Sequence, residues 1–168
     1  MGMDTLNLPT YLFRIKQDKQ KKYIFDEIRH RFVLLTPEEW VRQHLIKYLV
    51  HVKNFPLMLM GIEKGFTQLR RKQRYDLLIH DRNGEPLMIV ECKAPRVDIS
   101  QNTFDQATRY NIRYKAPYML ISNGRKHYCC QINLENRQYR FLQEIPDFNT
   151  IPADFHLDLN NLVQSIGD

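Results

Sequence analysis

The pattern of apolar and polar positions divides the chain into helical and extended segments. Residues 37–52, "PEEWVRQHLIKYLVHV", follow Thr36, with Pro37 at the first helical position and Glu39 three residues after the cap. This arrangement is a capping box, so the segment is predicted to be a helix. Helical spacing also predicts a second helix in "SQNTFDQATRYNIRYK", with Ser100 as its cap.

Apolar runs bounded by turn residues predict the strands. "YDLLIHD" and "PLMIVECK" flank Asn83-Gly84, the strongest short signal of a β-hairpin, and both runs are apolar on both faces. Such a hairpin belongs at the centre of a sheet with layers above and below it. Further strands are predicted near residues 57–64 and at "APYMLIS", and "KHYCCQINLENRQYRFL" indicates a second hairpin. The order helix, three strands, helix, strand predicts a three-layer α/β domain with a mixed sheet.

The length favours one domain. A chain of 168 residues buries roughly two thirds of the surface that it exposes when unfolded. We expect an extended arm or hairpin over residues 1–35, a core over 36–145 that includes the second hairpin, and a C-terminal tail over 146–168.

The charge balance is basic, with 25 Lys and Arg residues against 19 Asp and Glu residues. A net charge of +6 is compatible with a polyanionic partner but does not require one. The run "KQDKQKK" at residues 16–22 has two interpretations, a solvated loop or a patch that contacts phosphates.

The remaining composition excludes several classes of protein. The three cysteines, Cys92, Cys129 and Cys130, lack the spacing of a zinc site and predict reduced, mostly buried thiols. No apolar run is long enough to span a bilayer, and the N-terminus has neither region of a signal peptide. We therefore expect a cytoplasmic protein without a membrane partner.

The hairpin register brings charged residues together. A two-residue loop at Asn83-Gly84 would place Asp76 opposite Glu91, with Cβ atoms about 4.5 to 5.5 Å apart. Lys93 lies on the same face, because side chains on a strand alternate with period two. A divalent cation with oxygen ligands would offset two such close carboxylates. Alternatively, Glu91 and Lys93 form an ordinary ion-paired strand end, and a bulge would alter this register.

These residues also carry a resemblance to a known family. "YDLLIHDRNGEPLMIVECKAP", followed by "FDQATRYNIRYKAPYMLISNG", resembles the PD-(D/E)xK nuclease superfamily, and more closely the N-terminal nuclease domain of type I restriction enzyme R (HsdR-like) subunits. The resemblance implies a restriction-endonuclease-like α/β/α domain of core order αβββαβ. It also implies an endonuclease that hydrolyses DNA phosphodiester bonds with Mg²⁺ or Mn²⁺. No GxxxxGK[ST] phosphate loop occurs, so an ATP-driven motor is not expected in this chain.

The resemblance assigns roles to individual residues. Asp76 is the motif aspartate and Glu91 the acidic residue of ExK, so these two would be the metal ligands, with Lys93 as the lysine. Gln106 and Tyr110 match a QxxxY element and share a helix face. The first helix would add a carboxylate, for which Glu38 is preferred over Glu39.

The basic connector is the expected site of phosphate contacts. It follows the predicted strand near residues 57–64, and its cations are Arg70, Arg71, Lys72 and Arg74. Contacts with phosphates position a nucleic acid without reading its sequence.

Several alternatives stay open at the level of sequence. The chain could instead be a catalytically silent module of the same fold that binds nucleic acid or a partner protein, or a purely structural domain. DNA is the expected partner, with RNA not excluded. A homodimer and a larger restriction-type complex are both compatible with a single nuclease domain that cuts one strand per site.

Overall fold

The computed structural model describes residues 4–62, 66–68, 71–73, 75–133, 136 and 138–152, with 66–68, 71–73 and 110 described by their backbone alone. The helices are α1 (Pro37–His51) and α2 (Gln101–Tyr114). The first strands are β1 (Ile15–Asp18), β2 (Lys21–Asp26), β3 (Arg31–Leu34), β4 (Met60–Gly61), β5 (Phe66–Gln68) and β6 (Arg71–Gln73). They are followed by β7 (Leu77–His80), β8 (Pro86–Cys92), β9 (Tyr118–Ser122), β10 (His127–Asn133) and β11 (Gln138–Phe141).

The N-terminal segment forms a small sheet of its own. Strands β1, β2 and β3 pair antiparallel in that order, so the hairpin expected before Thr36 is present and is extended by a third strand. Asp26 ends β2 fully buried, and its Oδ1 accepts hydrogen bonds from the backbone N–H groups of Ile28 and Arg29, each at 2.9 Å. These bonds fix the turn that carries the chain into β3.

The main sheet is mixed, as predicted. Its strand order is β11-β10-β9-β8-β7-β4, and β8 and β9 are parallel while the other neighbours are antiparallel. The β7–β8 hairpin therefore lies inside the sheet, which its apolar faces predicted. The second hairpin, β10–β11, forms one edge. Of the strand predicted near residues 57–64, Met60–Gly61 form β4 and Leu57–Leu59 form a 3-10 turn instead, while residues 63 and 64 lie outside the described residues.

Helix α1 begins at the predicted cap, but the predicted capping box is only half formed, because the Glu39 carboxylate accepts from Arg42 and Gln43 while the Thr36 N–H donates to the Leu34 carbonyl. Thr36 Oγ1 accepts a hydrogen bond from the backbone N–H of Glu39 at 3.0 Å, and Pro37 occupies the first turn. In α2, the backbone N–H of Ser100 donates to Thr103 Oγ1 at 3.3 Å. The helix ends at Lys115 in the left-handed conformation, with φ of 54°. Both predicted helices are confirmed to within two residues.

The two helices cover opposite faces of the main sheet. Val41, Leu45 and Leu49 of α1 pack in one buried cluster with alternate positions of β7 and β8 such as Leu77 and Val90. Phe104 and Ala107 of α2 pack in another cluster with Met119 and Ile121 of β9. Layers on both faces explain why the central strands carry so few polar residues.

The turn between β7 and β8 differs from the expected two-residue loop. The backbone N–H of Asp81 donates to the carbonyl of Glu85 at 2.8 Å, so three residues form the loop, the last of them Gly84 with φ of 83°. Asp81 Oδ1 accepts from the N–H groups of Asn83 and Glu85, which stabilises this longer turn. A glycine in the left-handed conformation after a type I turn is a common three-residue solution.

The register further along the hairpin nevertheless agrees with the prediction. A shift between Ile79 and His80 leaves Leu87 as an extra residue in β8, and this bulge compensates for the longer loop. Leu77 therefore pairs with Val90, which is the register that a two-residue loop would give. The predicted register is correct, although the predicted loop length is not. Asp76 and Glu91 follow at the end of this ladder.

Three further expectations can be compared with the structure. The cysteines are free and buried. Within the described ranges, neither helix has the length and apolar character needed to cross a membrane. The C-terminal segment "LDLNNLVQSI", predicted as a closing helix or irregular tail, lies outside the described residues.

Candidate active site

Asp76 is held at the end of the β7–β8 hairpin by the backbone on both sides of it. Its N–H donates to the Val90 carbonyl at 3.1 Å, and its carboxylate Oδ2 accepts from the N–H of Cys92 at 2.6 Å. The ladder thus ends with a side chain replacing a backbone carbonyl as the acceptor. This anchoring leaves the Asp76 side chain only 12% exposed beside the end of β8.

Glu91 and Lys93 form an ion pair at the same end of the sheet. Lys93 Nζ donates to Glu91 Oε1 at 2.7 Å, which is the contact expected of an ion-paired strand end. The second carboxylate oxygen differs, because Glu91 Oε2 is buried and has no hydrogen-bond partner among the described residues. A buried oxygen without a partner costs free energy, so this atom is suited to bind a ligand.

The pKa values of Glu91 and Lys93 are both raised. Burial raises the pKa of Glu91 to about 7, and the charge of Asp76 adds to the effect. Burial alone lowers the pKa of Lys93, but the hydrogen bond and charge of Glu91, together with Glu38 and Asp76, outweigh it and raise the pKa. Lys93 therefore stays cationic, whereas Glu91 is poised between its charged and neutral forms near neutral pH.

Arg42 joins α1 to the site, and the sequence did not reveal this role. Its side chain is 8% exposed, with Nη2 donating to Asp76 Oδ1 and Nη1 donating to Glu39 Oε2, both at 2.9 Å. Glu38 Oε1 lies 3.9 Å from Nη2. Burial lowers the pKa of Arg42, but Asp76, Glu39 and the other acids outweigh it and raise it. The sequence signal that could have identified this role is the position of Arg42, a charged residue on the same face of α1 as the buried Leu45.

The two glutamates at the start of α1 have different environments. Glu39 is 7% exposed, and its Oε1 accepts from Gln43 Nε2 at 2.9 Å while its Oε2 accepts from Arg42. Glu38 is 46% exposed, and burial followed by the charge of Asp76 raises its pKa, with Lys93 and Arg42 acting in the opposite direction. Glu38 thus faces the Asp76–Lys93 end of the sheet, whereas Glu39 has structural partners.

The predicted role of the QxxxY pair stays a prediction. Gln106 lies on the exposed side of α2, and among the described residues no hydrogen bond joins it to Asp76, Glu91 or Lys93. The side chain of Tyr110 lies outside the described residues.

The predicted phosphate-contacting connector lies largely outside the described part of the chain. Arg70 and Arg74 are outside it altogether, and the side chains of Arg71 and Lys72, on β6, are also outside it.

The donor chemistry of the site fits a hard divalent cation. Within the described residues, no group of three or more His, Cys, Asp or Glu side chains is arranged to hold a metal. Mg²⁺, however, is commonly bound through one or two carboxylates and keeps several of its waters. The unpartnered Glu91 Oε2 and the neighbouring Asp76 carboxylate are oxygen donors of the type that such an ion accepts.

Comparison with known proteins connects this geometry to a family. The chain has a structural match to a fragment described as an HsdR subunit of a type I restriction enzyme from Vibrio vulnificus YJ016, with a TM-score of 0.50 and 18% sequence identity. The match covers 68% of this chain and 24% of that chain. The comparison with curated proteins finds no match.

The family model named "Type I restriction enzyme R protein N terminus (HSDR_N)" matches residues 37–146. The matched range includes α1, the β7–β8 hairpin, α2 and every residue of the candidate site, and the resemblance to type I restriction enzyme R N-terminal domains is confirmed. This chain belongs to the HSDR_N family of type I restriction enzyme R protein N-terminal domains.

Proposed function

We propose that this chain is a metal-dependent nuclease domain that hydrolyses DNA phosphodiester bonds. The observation that carries the proposal is the buried Glu91 Oε2. This atom lies close to Asp76 and Lys93 and has no hydrogen-bond partner among the described residues. We assign the chain to a restriction-endonuclease-like core of order αβββαβ, which its membership of the HSDR_N family supports.

Asp76 and Glu91 would hold Mg²⁺ or Mn²⁺ in this proposal. When bound, the ion would supply Lewis-acid polarisation of the scissile phosphate and a lower pKa for attacking water. Arg42 keeps the Asp76 carboxylate in a fixed position through its 2.9 Å hydrogen bond. Because Asp76 is also anchored by the Cys92 N–H, its orientation is set before any ligand arrives.

Lys93 is the cation that would face the phosphate. Its ammonium group is held by Glu91 Oε1 at 2.7 Å and is 26% exposed, so it can donate to an anion from solvent. There it would orient the water or neutralise charge that develops on the phosphoryl group. Glu38, half-exposed and electrostatically coupled to Lys93, would be the accessory acid from α1.

The wider contacts of the domain are also proposals. Gln106 and Tyr110 would align the phosphate backbone, and the basic connector from Arg70 to Arg74 would position the DNA. One site cuts one strand, so double-strand cleavage would require two copies or a larger restriction-type complex.

Conversion of supercoiled plasmid to the nicked form tests the proposal. Wild-type protein should nick DNA in Mg²⁺ or Mn²⁺ and not in EDTA, and Lys93→Ala should remove this activity while the variant remains folded at the assay temperature, which its unfolding curve checks. Lys53→Ala is a matched control, because Lys53 pairs with the exposed Glu144 elsewhere on the surface. A single-stranded RNA assayed in parallel shows whether DNA is preferred.

The proposal fails if wild type and Lys93→Ala are equally inert on DNA and RNA with both metals. It also fails if residual activity is equal in the two proteins, since the nuclease would then be a contaminant. Loss of activity in Lys53→Ala as well would mean that the effect of Lys93→Ala is not specific to the candidate site.

A catalytically silent module is the second candidate, and one observation favours it. Each carboxylate already has a cationic partner from this chain, with Arg42 on Asp76 and Lys93 on Glu91. Such a site needs no metal for charge balance. Salt-dependent DNA binding in EDTA, together with no cleavage in either metal, would favour this candidate.

A further inference from the structure

A cleft of about 700 Å³ lies between the N-terminal sheet and the candidate site. Lys21 and Lys22 of β2 line one side, and Ala94–Arg96, which follow Lys93 in the chain, line the other. Thr36 and Pro37, which precede Glu38, also line it, so the cleft adjoins the first turn of α1, which carries Glu38. The family match begins at residue 37 and therefore does not include the N-terminal sheet.

The run "KQDKQKK", which the proposed function does not use, contributes to this cleft. Lys22 shares a face of β2 with the buried Ile24 and Asp26, because side chains alternate along a strand. That face is directed towards the body of the domain, so Lys22 stands at the rim of the cleft. The lysines of the run are exposed, which is compatible with both interpretations, and the cleft would use the run as a patch that contacts phosphates.

The charges around the cleft are mostly positive. Lys21 and Lys22 are exposed, and the Arg96 side chain is 83% exposed. Asp4 is the acidic residue that lines the cleft, and its Oδ1 is paired with Arg96 Nε at 3.4 Å and with Arg125 Nη2 at 3.1 Å. A polyanion entering the cleft would therefore meet cations and an already neutralised carboxylate.

The surface between these cations is apolar. Leu34 is 46% exposed, and it lines the cleft with Pro37, Trp40 and Pro95. Trp40 is fixed by hydrogen bonding from its Nε1 to the Asp4 carbonyl at 3.2 Å and by its packing on His44, with ring centroids 4.0 Å apart. Such a floor has no side-chain donor left for the phosphates that a duplex backbone presents. Unpaired bases, in contrast, stack on and cover apolar side chains.

The outer face of the N-terminal sheet continues this character away from the cleft. Leu34 pairs in register with Tyr23, and Phe25 pairs with Phe32 on the same face. Lys16 Nζ lies 4.6 Å from the centre of the Phe32 ring. Arg14 Cζ also lies 4.2 Å from the centre of the Phe25 ring, so this face combines aromatic side chains with positive charge, as surfaces that bind single-stranded nucleic acid do.

We propose that this cleft, together with the outer face of the N-terminal sheet, binds single-stranded DNA next to the candidate active site. The cations would contact the phosphates and the Leu34–Trp40 floor would contact unpaired bases. This inference rests on the proposed function, because it takes the neighbouring site to be the place where DNA is cleaved. Binding in the cleft does not itself require cleavage. The domain would then act on DNA that is frayed, gapped or locally opened.

Binding of a thymidine oligonucleotide of about 12 residues in EDTA tests the inference. Trp40 is the sole tryptophan of the chain, so quenching of its fluorescence reports that the ligand occupies the cleft. Fluorescence anisotropy of a labelled oligonucleotide gives the affinity, and a duplex of the same length is the competitor. We expect tryptophan quenching, and much weaker competition by the duplex than by unlabelled single strand.

The variants locate the contacts. Combining Lys21→Gln with Lys22→Gln should weaken binding about tenfold and reduce the log–log salt slope by about 1.4, since each single-strand phosphate contact contributes about 0.7. Leu34→Ser should weaken binding without changing that slope, because it removes only apolar contact. Lys115→Gln is the matched control, since Lys115 is exposed at the end of α2 next to β9, and it should bind as wild type does.

Four results would overturn the inference. These are the absence of tryptophan quenching, equal competition by the duplex, unchanged affinity in the lysine variant, and self-association through the cleft with no oligonucleotide bound. Lys93→Ala separates this test from that of the proposed function. If the protein binds the oligonucleotide but never cleaves DNA, the nuclease proposal fails and the cleft proposal stands.

Discussion

Arg42 and Asp76, 34 residues apart in sequence, are joined by a hydrogen bond of 2.9 Å between Nη2 and Oδ1. The same guanidinium donates to Glu39, and its side chain is 8% exposed. Helix α1 is therefore tied to the end of the β7–β8 hairpin by a buried cation that serves two carboxylates. The arrangement predicts that the stability of the fold and the position of Asp76 depend on the same residue.

Replacing Arg42 should be strongly destabilising. We expect Arg42→Met to lower the free energy of unfolding by about 3 to 5 kcal/mol, because Asp76 and Glu39 would lose their buried cationic partner. Urea denaturation at neutral pH measures this loss.

Lys47→Met provides the matched control, because Lys47 pairs with Glu27 at 2.6 Å and that glutamate is 42% exposed. It should cost less than about 1 kcal/mol, as surface ion pairs do. Equal small losses in both variants would show that Arg42 is not the buried partner described.

The contribution of Glu91 to the stability of the metal-free protein should fall as the pH rises from 4.5 to 7. The pKa of Glu91 is about 7 in the folded state against an ordinary value of 4.5, so the folded protein binds the extra proton between these values. The contribution of this group is fully present below pH 4.5 and is lost as the pH rises through 7. The loss should be on the order of 3 kcal/mol.

Glu91→Gln should flatten that pH dependence, because a neutral amide does not titrate. Urea denaturation in EDTA across this pH range measures the difference, with Glu144→Gln as the control because Glu144 is 81% exposed. A slope that persists unchanged in Glu91→Gln would assign the titration to another group.

The two glutamates of α1 should separate activity from stability. Glu38→Gln should reduce the nicking rate roughly tenfold, equivalent to about 1.4 kcal/mol of barrier, with little change in the unfolding midpoint. Glu39→Gln should instead cost about 2 to 3 kcal/mol of stability, since Glu39 is 7% exposed and accepts from charged Arg42. Plasmid nicking and urea denaturation on both variants measure the two effects. The reverse pattern would make Glu39 the accessory acid.

Local patterns predicted the elements of the fold well. The cap residue Thr36 identified the start of α1. Apolar runs identified β7, β8 and β9, because a strand that is buried on both faces carries apolar side chains at successive positions. The loop of the hairpin was not predictable in the same way. Asp81 stabilises a three-residue turn with its side chain, and a bulge at Leu87 then restores the register, so two local deviations cancel.

The candidate site was predicted in part. The ExK pattern and the hairpin register brought Asp76, Glu91 and Lys93 to one end of the sheet, and electrostatic coupling among them supports their proximity. The partner of Asp76 could not be found from spacing, because Arg42 reaches it from another element. Helical periodicity placed Gln106 on α2 but did not determine that its face is exposed.

Titration of Mn²⁺ into the protein by calorimetry tests the central claim, that Asp76 and Glu91 hold a divalent cation. At neutral pH we predict saturable binding with release of protons, because Glu91 is partly protonated before the ion arrives and must ionise to bind it. Glu91→Gln should abolish this binding, and Glu144→Gln should retain it. Absence of binding in the wild-type protein, or an unchanged affinity in Glu91→Gln, would contradict the account.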